Sequence, residues 1–183
     1  MKPCSASTDH SPLTQALERL GVEANVRLAL LVAPAGSGKT QALRGWVQAH
    51  PDTPIAWVGL VEGDNTALTF FETLRSAFQS INTRSTVSSP PLNGKTGAFD
   101  LEEGTIELLN ALTVEPCDCF LILDDYHIID NAQIHAAVSL LLDYQPPKMH
   151  LVIASRSEPP LPIPRLRVRR QLIELGLDDL KGS

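Results

Sequence analysis

Residues 30–43 read LLVAPAGSGKTQAL. Three behaviours follow one another there. The apolar run Leu28 to Val32 has the unbroken hydrophobicity of a strand buried on both faces. Gly36 and Gly38 then allow tight turning and close approach of the backbone to a partner. From Lys39 the pattern turns helical, with Ala42, Leu43, Trp46 and Val47 on the inner side. A strand, a glycine-rich loop and a helix in that order gather main-chain N–H groups and the positive end of a helix around one point, which suits a phosphate. Residues 33–40 fit G-x-x-x-x-G-K-[ST] except at the first position, where Ala33 stands. That glycine eases the exit from the strand. Alanine is the smallest substitute, and Pro34 already restricts the turn, so the loop tolerates Ala33 provided its φ is negative.

The expected nucleotide-binding set is Ala35, Gly36, Ser37, Gly38, Lys39, Thr40 and Gln41. Lys39 reaches the β- and γ-phosphates, and Thr40 offers its hydroxyl to Mg²⁺. A second Gly-Lys-Thr, at 94–96, has Ser89 in the first-glycine position, no buried strand before it and no clear helix after it. It reads as chance. A dinucleotide fingerprint fails, because its third glycine would fall near Gln41.

Phosphate and magnesium need a carboxylate facing the loop. Phe120 to Leu123 reads as a buried strand ending in Asp124-Asp125. Ligands of parallel sheets bind at that carboxyl edge. Asp124 is expected to hold Mg²⁺ through water opposite Thr40, and Asp125 to orient a water for attack. The strand Leu151 to Ala154 ends in Ser155-Arg156, which places Arg156 to touch the γ-phosphate. The expected catalytic set is Lys39, Asp125 and Arg156; the metal set is Thr40 and Asp124. His127 reads as an orienting or hydrogen-bonded histidine.

Two further strands are expected at 55–60 and 171–175. Helices are expected at Leu13, Leu17 and Leu20, closed by Gly21; from Ala67 to Ile81; after an Asp100–Glu103 capping box with Ile106, Leu109 and Leu112 inward; and through Ile134, Ala137, Val138, Leu141 and Leu142. Residues 82–99 lack periodicity and read as a long surface loop. Alternating strands and helices imply an α/β fold of three layers, a parallel five-stranded sheet covered on both faces. The expected domain spans 13–180, between a flexible 1–12 and a tail of 181–183.

The net charge of −6 does not suit general attraction to DNA or an anionic membrane. Arg165, Arg167, Arg169 and Arg170 cluster, but without interleaved aromatics they read as a solvated or interdomain face. Cys4, Cys117 and Cys119 are too few and too oddly spaced for a disulfide framework, which fits a cytoplasmic protein.

These stretches resemble the nucleotide-binding domain of the STAND class of P-loop ATPases. More narrowly, they resemble the large ATP-binding LuxR-type transcription regulators, which include maltotriose-responsive activators. Residues 31–40 are similar to the family's Walker A, where alanine at the first position is frequent. Ala56 to Leu60 with Asp64-Asn65 and Phe70-Phe71 is similar to its second strand and following helix. Leu121 to His127 is similar to its Walker B, and Ala154 to Pro162 with Arg165-Leu166-Arg167 to its sensor strand. Ser37 departs from a usual aromatic, and the acidic residues after Leu60 are fewer than usual.

The resemblance implies a P-loop NTPase fold with strand order 5-1-4-3-2. It implies an ATP/ADP- and Mg²⁺-binding switch with slow ATPase activity, and nucleotide-dependent self-association. It also implies that the effector-binding and DNA-binding domains of such regulators are missing from this chain, so DNA binding is not expected of it. A stand-alone NTPase or phosphotransferase, and a non-catalytic interaction fragment, are the alternatives.

Overall fold

The structure, a computed structural model, describes residues 11–23, 25–81, 99–113 and 118–180. Residues 82–98 of the expected long loop, including the second Gly-Lys-Thr, lie outside the described residues, as do residues 1–10, Cys4, Cys117 and the tail 181–183. Five strands form one parallel sheet: β1 (Leu28–Val32), β2 (Ile55–Gly59), β3 (Cys119–Asp124), β4 (Met149–Ser155) and β5 (Leu172–Leu175). Their order is β2-β3-β4-β1-β5. Read from the opposite edge this is 5-1-4-3-2, as expected.

The central strands are apolar throughout because each successive residue serves a different layer. Leu28 and Leu30 of β1, Leu121 and Leu123 of β3, and Leu151 and Ile153 of β4 face one core. Ala29 and Leu31, Phe120 and Ile122, and Val152 and Ala154 face the other. The first core is closed by α3 (Ala67–Ile81), α4 (Leu101–Thr113), α5 (Ala132–Tyr144) and α6 (Ile163–Val168). The second is closed by α1 (Pro12–Val22), α2 (Lys39–Ala49) and α7 (Leu177–Leu180).

Ser11 and Pro12, expected in the flexible segment, instead start α1. Ser11 is buried, and its Oγ accepts the Thr14 N–H at 3.2 Å. The helix also runs through Gly21 to Val22 rather than stopping at the glycine. On α4 the inward stripe is Leu101, Thr105, Leu108, Leu109 and Leu112, and Ile106 is exposed. Thr105 takes an interior place because its hydroxyl donates to the Leu101 carbonyl at 2.7 Å, which removes the penalty of burying it. Asp100 does cap the helix, accepting from the N–H groups of Glu102 at 3.0 Å and Glu103 at 3.2 Å.

Gly104 lets α4 close on α3. A Cβ there would lie 2.7 Å from Cε2 of the fully buried Phe71. Gly104→Ala adds about 1 kcal/mol of helix propensity, but overpacking a fixed ring costs about 1–3 kcal/mol. The steric cost outweighs the propensity gain. The variant should unfold at lower denaturant, by about 1 kcal/mol in a urea titration.

The basic stretch forms α6, an element the proline-rich sequence concealed. Arg165 pairs with Asp143, and Arg167 with Glu174 at 2.6 Å and Glu158 at 3.3 Å.

Candidate functional site

β1, β4 and β3 lie side by side and deliver three connections to one edge of the sheet. The Ala33 N–H donates to the Ser155 carbonyl at 3.2 Å, which extends the β1–β4 ladder into the loop. Among the described residues the only non-glycines with positive φ are Asp125 and Arg170, so Ala33 meets the condition placed on it. Gly36 and Gly38 have φ of 74° and 87°. No atom lies within 4 Å of a Cβ built on either, so a side chain there would project into open space above the loop. Gly38 is the N-cap of α2 and makes no side-chain cap hydrogen bond, which leaves the helix start to a ligand.

Lys39 is buried and folds back over its own loop. Its Nζ donates to the carbonyls of Ala33 at 2.7 Å and Pro34 at 3.0 Å. Burial lowers its pKa, Asp125 and Asp124 act to raise it, and Arg156 acts to lower it. Thr40, next along α2, lies near the buried Asp124, and its hydroxyl favours the charged form of that carboxyl. Burial raises the Asp124 pKa; the Thr40 hydroxyl opposes this and the nearby Asp125 reinforces it. Asp125 is itself half exposed, and its N–H donates to Asp124 Oδ1 at 3.0 Å. Its φ of 56° and ψ of 37° are left-handed, a conformation that costs a non-glycine residue about 1 kcal/mol or more and marks functional turns.

Arg156 is exposed, and no ion pair among the described residues engages it, in contrast to Arg165 and Arg167. The structure therefore brings Lys39, Thr40, Asp124, Asp125 and Arg156 together. Lys39, held by two loop carbonyls, and the exposed Arg156 lie on the same side of the sheet as an acidic pair.

The arrangement fits magnesium and phosphate. Thr40 and Asp124 present neighbouring hard oxygen donors, and such ions take one or two protein oxygens and complete their shell with water and substrate phosphate. Gly36 and Gly38 hold the left-handed backbone of the loop and leave the space above it open, so phosphate oxygens can approach the main chain.

From Ser37, Gly38, Thr40 and Gln41 a groove of about 810 Å³ runs between α2 and the start of α1, with Ser11, Thr14 and Leu180 among its walls. Sequence reading missed those three. Ser11 sat in a segment expected to be loose, and Leu180 belongs to a four-residue helix with no periodicity to detect. His127 was read as an orienting or hydrogen-bonded histidine, and Ser155 was given no role. His127 Nδ1 and Ser155 Oγ are both buried without a hydrogen-bond partner.

No protein-family model matches the chain. Sequence comparison finds the HTH-type transcriptional regulator MalT of Cronobacter sakazakii, 38% identical over 164 residues, and that of Serratia proteamaculans, 37% identical over the same length. Both alignments cover 90% of this chain. The chain is a homologue of the MalT regulators. It spans 18% of the length of these curated relatives.

Among solved structures, Cdc6p from Pyrobaculum aerophilum superposes with a TM-score of 0.58 at 14% identity, covering 96% of this chain and 48% of that one. A chain in the structure of Drosophila ORC bound to AT-rich DNA and Cdc6 gives 0.53 at 15% identity, covering 97% and 62%. At such identities the likeness is one of fold, the P-loop NTPase fold. Among the described residues no helix is long and apolar enough to cross a membrane.

Proposed function

We propose that this domain is an ATP- and Mg²⁺-dependent switch with slow hydrolysis, working in the cytoplasm as part of a transcriptional regulator. The observation that carries the reading is the convergence of Lys39, Thr40, Asp124, Asp125 and Arg156 around a loop whose two glycines are left-handed. The naming of its homologues as HTH-type regulators supports the regulatory setting.

In this reading the amides of residues 35–41 bind the phosphates. Lys39 leaves the Ala33 and Pro34 carbonyls to meet the β- and γ-phosphates. Thr40 and Asp124 hold the metal, Asp125 orients a water, and the groove toward Ser11 takes the nucleoside. Bound magnesium supplies neutralisation of charge on the β- and γ-phosphates. Arg156 reports the γ-phosphate, so that ATP and ADP favour different states of the protein, including its self-association.

Calorimetric titration with ATP and ADP, with and without magnesium, tests the proposal. Mg-ATP should bind with micromolar affinity and turn over well below about 1 s⁻¹, a slow rate for an enzyme. Absence of binding would leave only the fold, and fast turnover would indicate a stand-alone NTPase. Arg156→Ala should weaken ATP about threefold to tenfold while leaving ADP unchanged, as loss of one charge-assisted contact predicts. Equal losses for both nucleotides would remove its γ-phosphate role.

A further inference from the structure

Asp125 needs an aim as well as a place. Its carboxylate is partly exposed, and its hydrogen bond to Asp124 is made by its main-chain N–H, so the bond does not fix the side chain. The left-handed backbone at Asp125 turns the chain sharply into a 3-10 turn, Tyr126–Ile128. That turn is pinned on both sides of His127. Tyr126 is buried, with its hydroxyl 3.0 Å from Nδ1 of His135 on α5. The N–H groups of Ile128 and Ile129 donate to the Asp125 and Tyr126 carbonyls, each at 3.1 Å.

The His127 ring is thereby held with its Nδ1 buried, unbonded and 3.8 Å from Asp125 Oδ1. The charges that act on the ring are Arg156 at the end of β4, Asp125 and Asp124 at the end of β3, and Lys39 on α2. A buried polar atom without a partner is costly. This one lies less than about 1 Å short of a hydrogen bond to the carboxylate that the proposed reaction uses.

We propose that His127 is a positioning residue: once the triphosphate is bound, its Nδ1–H donates to Asp125 Oδ1 and aims the other carboxylate oxygen at the attacking water. This rests on the ATPase reading above. In the step concerned, the water oxygen bonds to the γ-phosphorus while the bond from that phosphorus to the β–γ bridging oxygen breaks. Asp125 accepts the water proton and releases it to solvent, leaving ADP and inorganic phosphate. His127 touches none of the reacting atoms.

The test compares wild type, His127→Leu and His127→Asn by Mg-ATP titration, single-turnover hydrolysis and ring ¹⁵N spectra. An asparagine amide places a donor close to where Nδ1 stands. The leucine variant should bind Mg-ATP within about twofold of wild type and hydrolyse it about tenfold more slowly. Asparagine should restore most of the rate. In wild type, a non-hydrolysable Mg-ATP analogue should move the His127 proton onto Nδ1, and the signal missing from the asparagine variant identifies the ring.

A leucine variant with wild-type hydrolysis, or a proton that does not move onto Nδ1, overturns the assignment. So does a leucine variant that hydrolyses slowly only because it binds poorly, or an asparagine variant no better than leucine. Wild type that binds Mg-ATP but leaves it intact overturns it while sparing nucleotide binding. Wild type that does not bind overturns both.

Discussion

Lys39→Ala should lower Mg-ATP affinity about tenfold to a hundredfold in calorimetric titration. A charge-assisted contact to phosphate contributes about 1.5–3 kcal/mol, and each 1.4 kcal/mol is about a factor of ten. The structure adds a second consequence. The ammonium bonds the carbonyls of Ala33 and Pro34, so a phosphate that takes it from them gains only the difference between those bonds and its own. That difference remains large, because burial disfavours the charge and two carbonyl dipoles neutralise it less well than a polyanion would.

Alanine also leaves the Ala33 carbonyl, on the buried side of the loop, without its donor. A loss of about 1 kcal/mol in folding stability should accompany the weaker binding. Lys95→Ala, in the chance copy of the motif, should change neither quantity. If Lys39→Ala binds Mg-ATP as wild type does, the loop over residues 33–40 is not the phosphate site.

The parts of this molecule that were legible in the sequence are those whose information is local. Leu28 to Val32 declares a buried strand by having no polar residue, and Gly36 and Gly38 declare a turn that side chains would obstruct. Phe70, Phe71, Leu74 and Phe78 declare a helix face by their spacing, and all four are buried. The strand order was legible only through the family resemblance, since nothing in the spacing of five apolar runs says which of them are neighbours. What stayed hidden depends on distant partners. Thr105 looks polar until its bond to Leu101 is seen, so the inward face of α4 was read from Ile106 instead.

The loop after β2 is similar. Asp64 accepts from Val61 N–H and Thr73 Oγ1, and Asn65 accepts from the N–H groups of Asp130 and Asn131. These residues read as a family signature, yet Asp64 braces its own loop against α3, and Asn65 braces the connection that follows the acidic pair. The sequence left His127 between an orienting and a hydrogen-bonded reading for the same reason. Its neighbours in sequence do not reveal that its ring nitrogen is buried beside a carboxylate.

Asp124→Asn should abolish the enhancement of ATP binding by magnesium and, at the same time, raise the melting temperature of the nucleotide-free protein. The two effects have one cause. A carboxylate buried beside Asp125 is poorly solvated, and its pKa is raised by that burial first and by Asp125 second. For an acid with a raised folded-state pKa, the unfolded chain loses its proton at lower pH than the folded chain does. Its contribution favours folding below the unfolded value and is lost as pH rises through the folded value. Near neutral pH the ionised group is therefore a net cost to the empty protein, one that a bound cation would remove. Asparagine keeps an oxygen to accept the Asp125 N–H and carries no charge, so the empty variant should gain about 1 kcal/mol, seen as about 2–4 °C in a domain of this size. The gain should vanish in acid, where wild type is protonated too. The same neutral oxygen is a weak ligand for a hard dication, so adding magnesium should no longer tighten ATP binding, a loss of about thirtyfold to a hundredfold. A variant that retains the magnesium effect, or that melts below wild type at neutral pH, would show that Asp124 is held there for the fold and not for the metal.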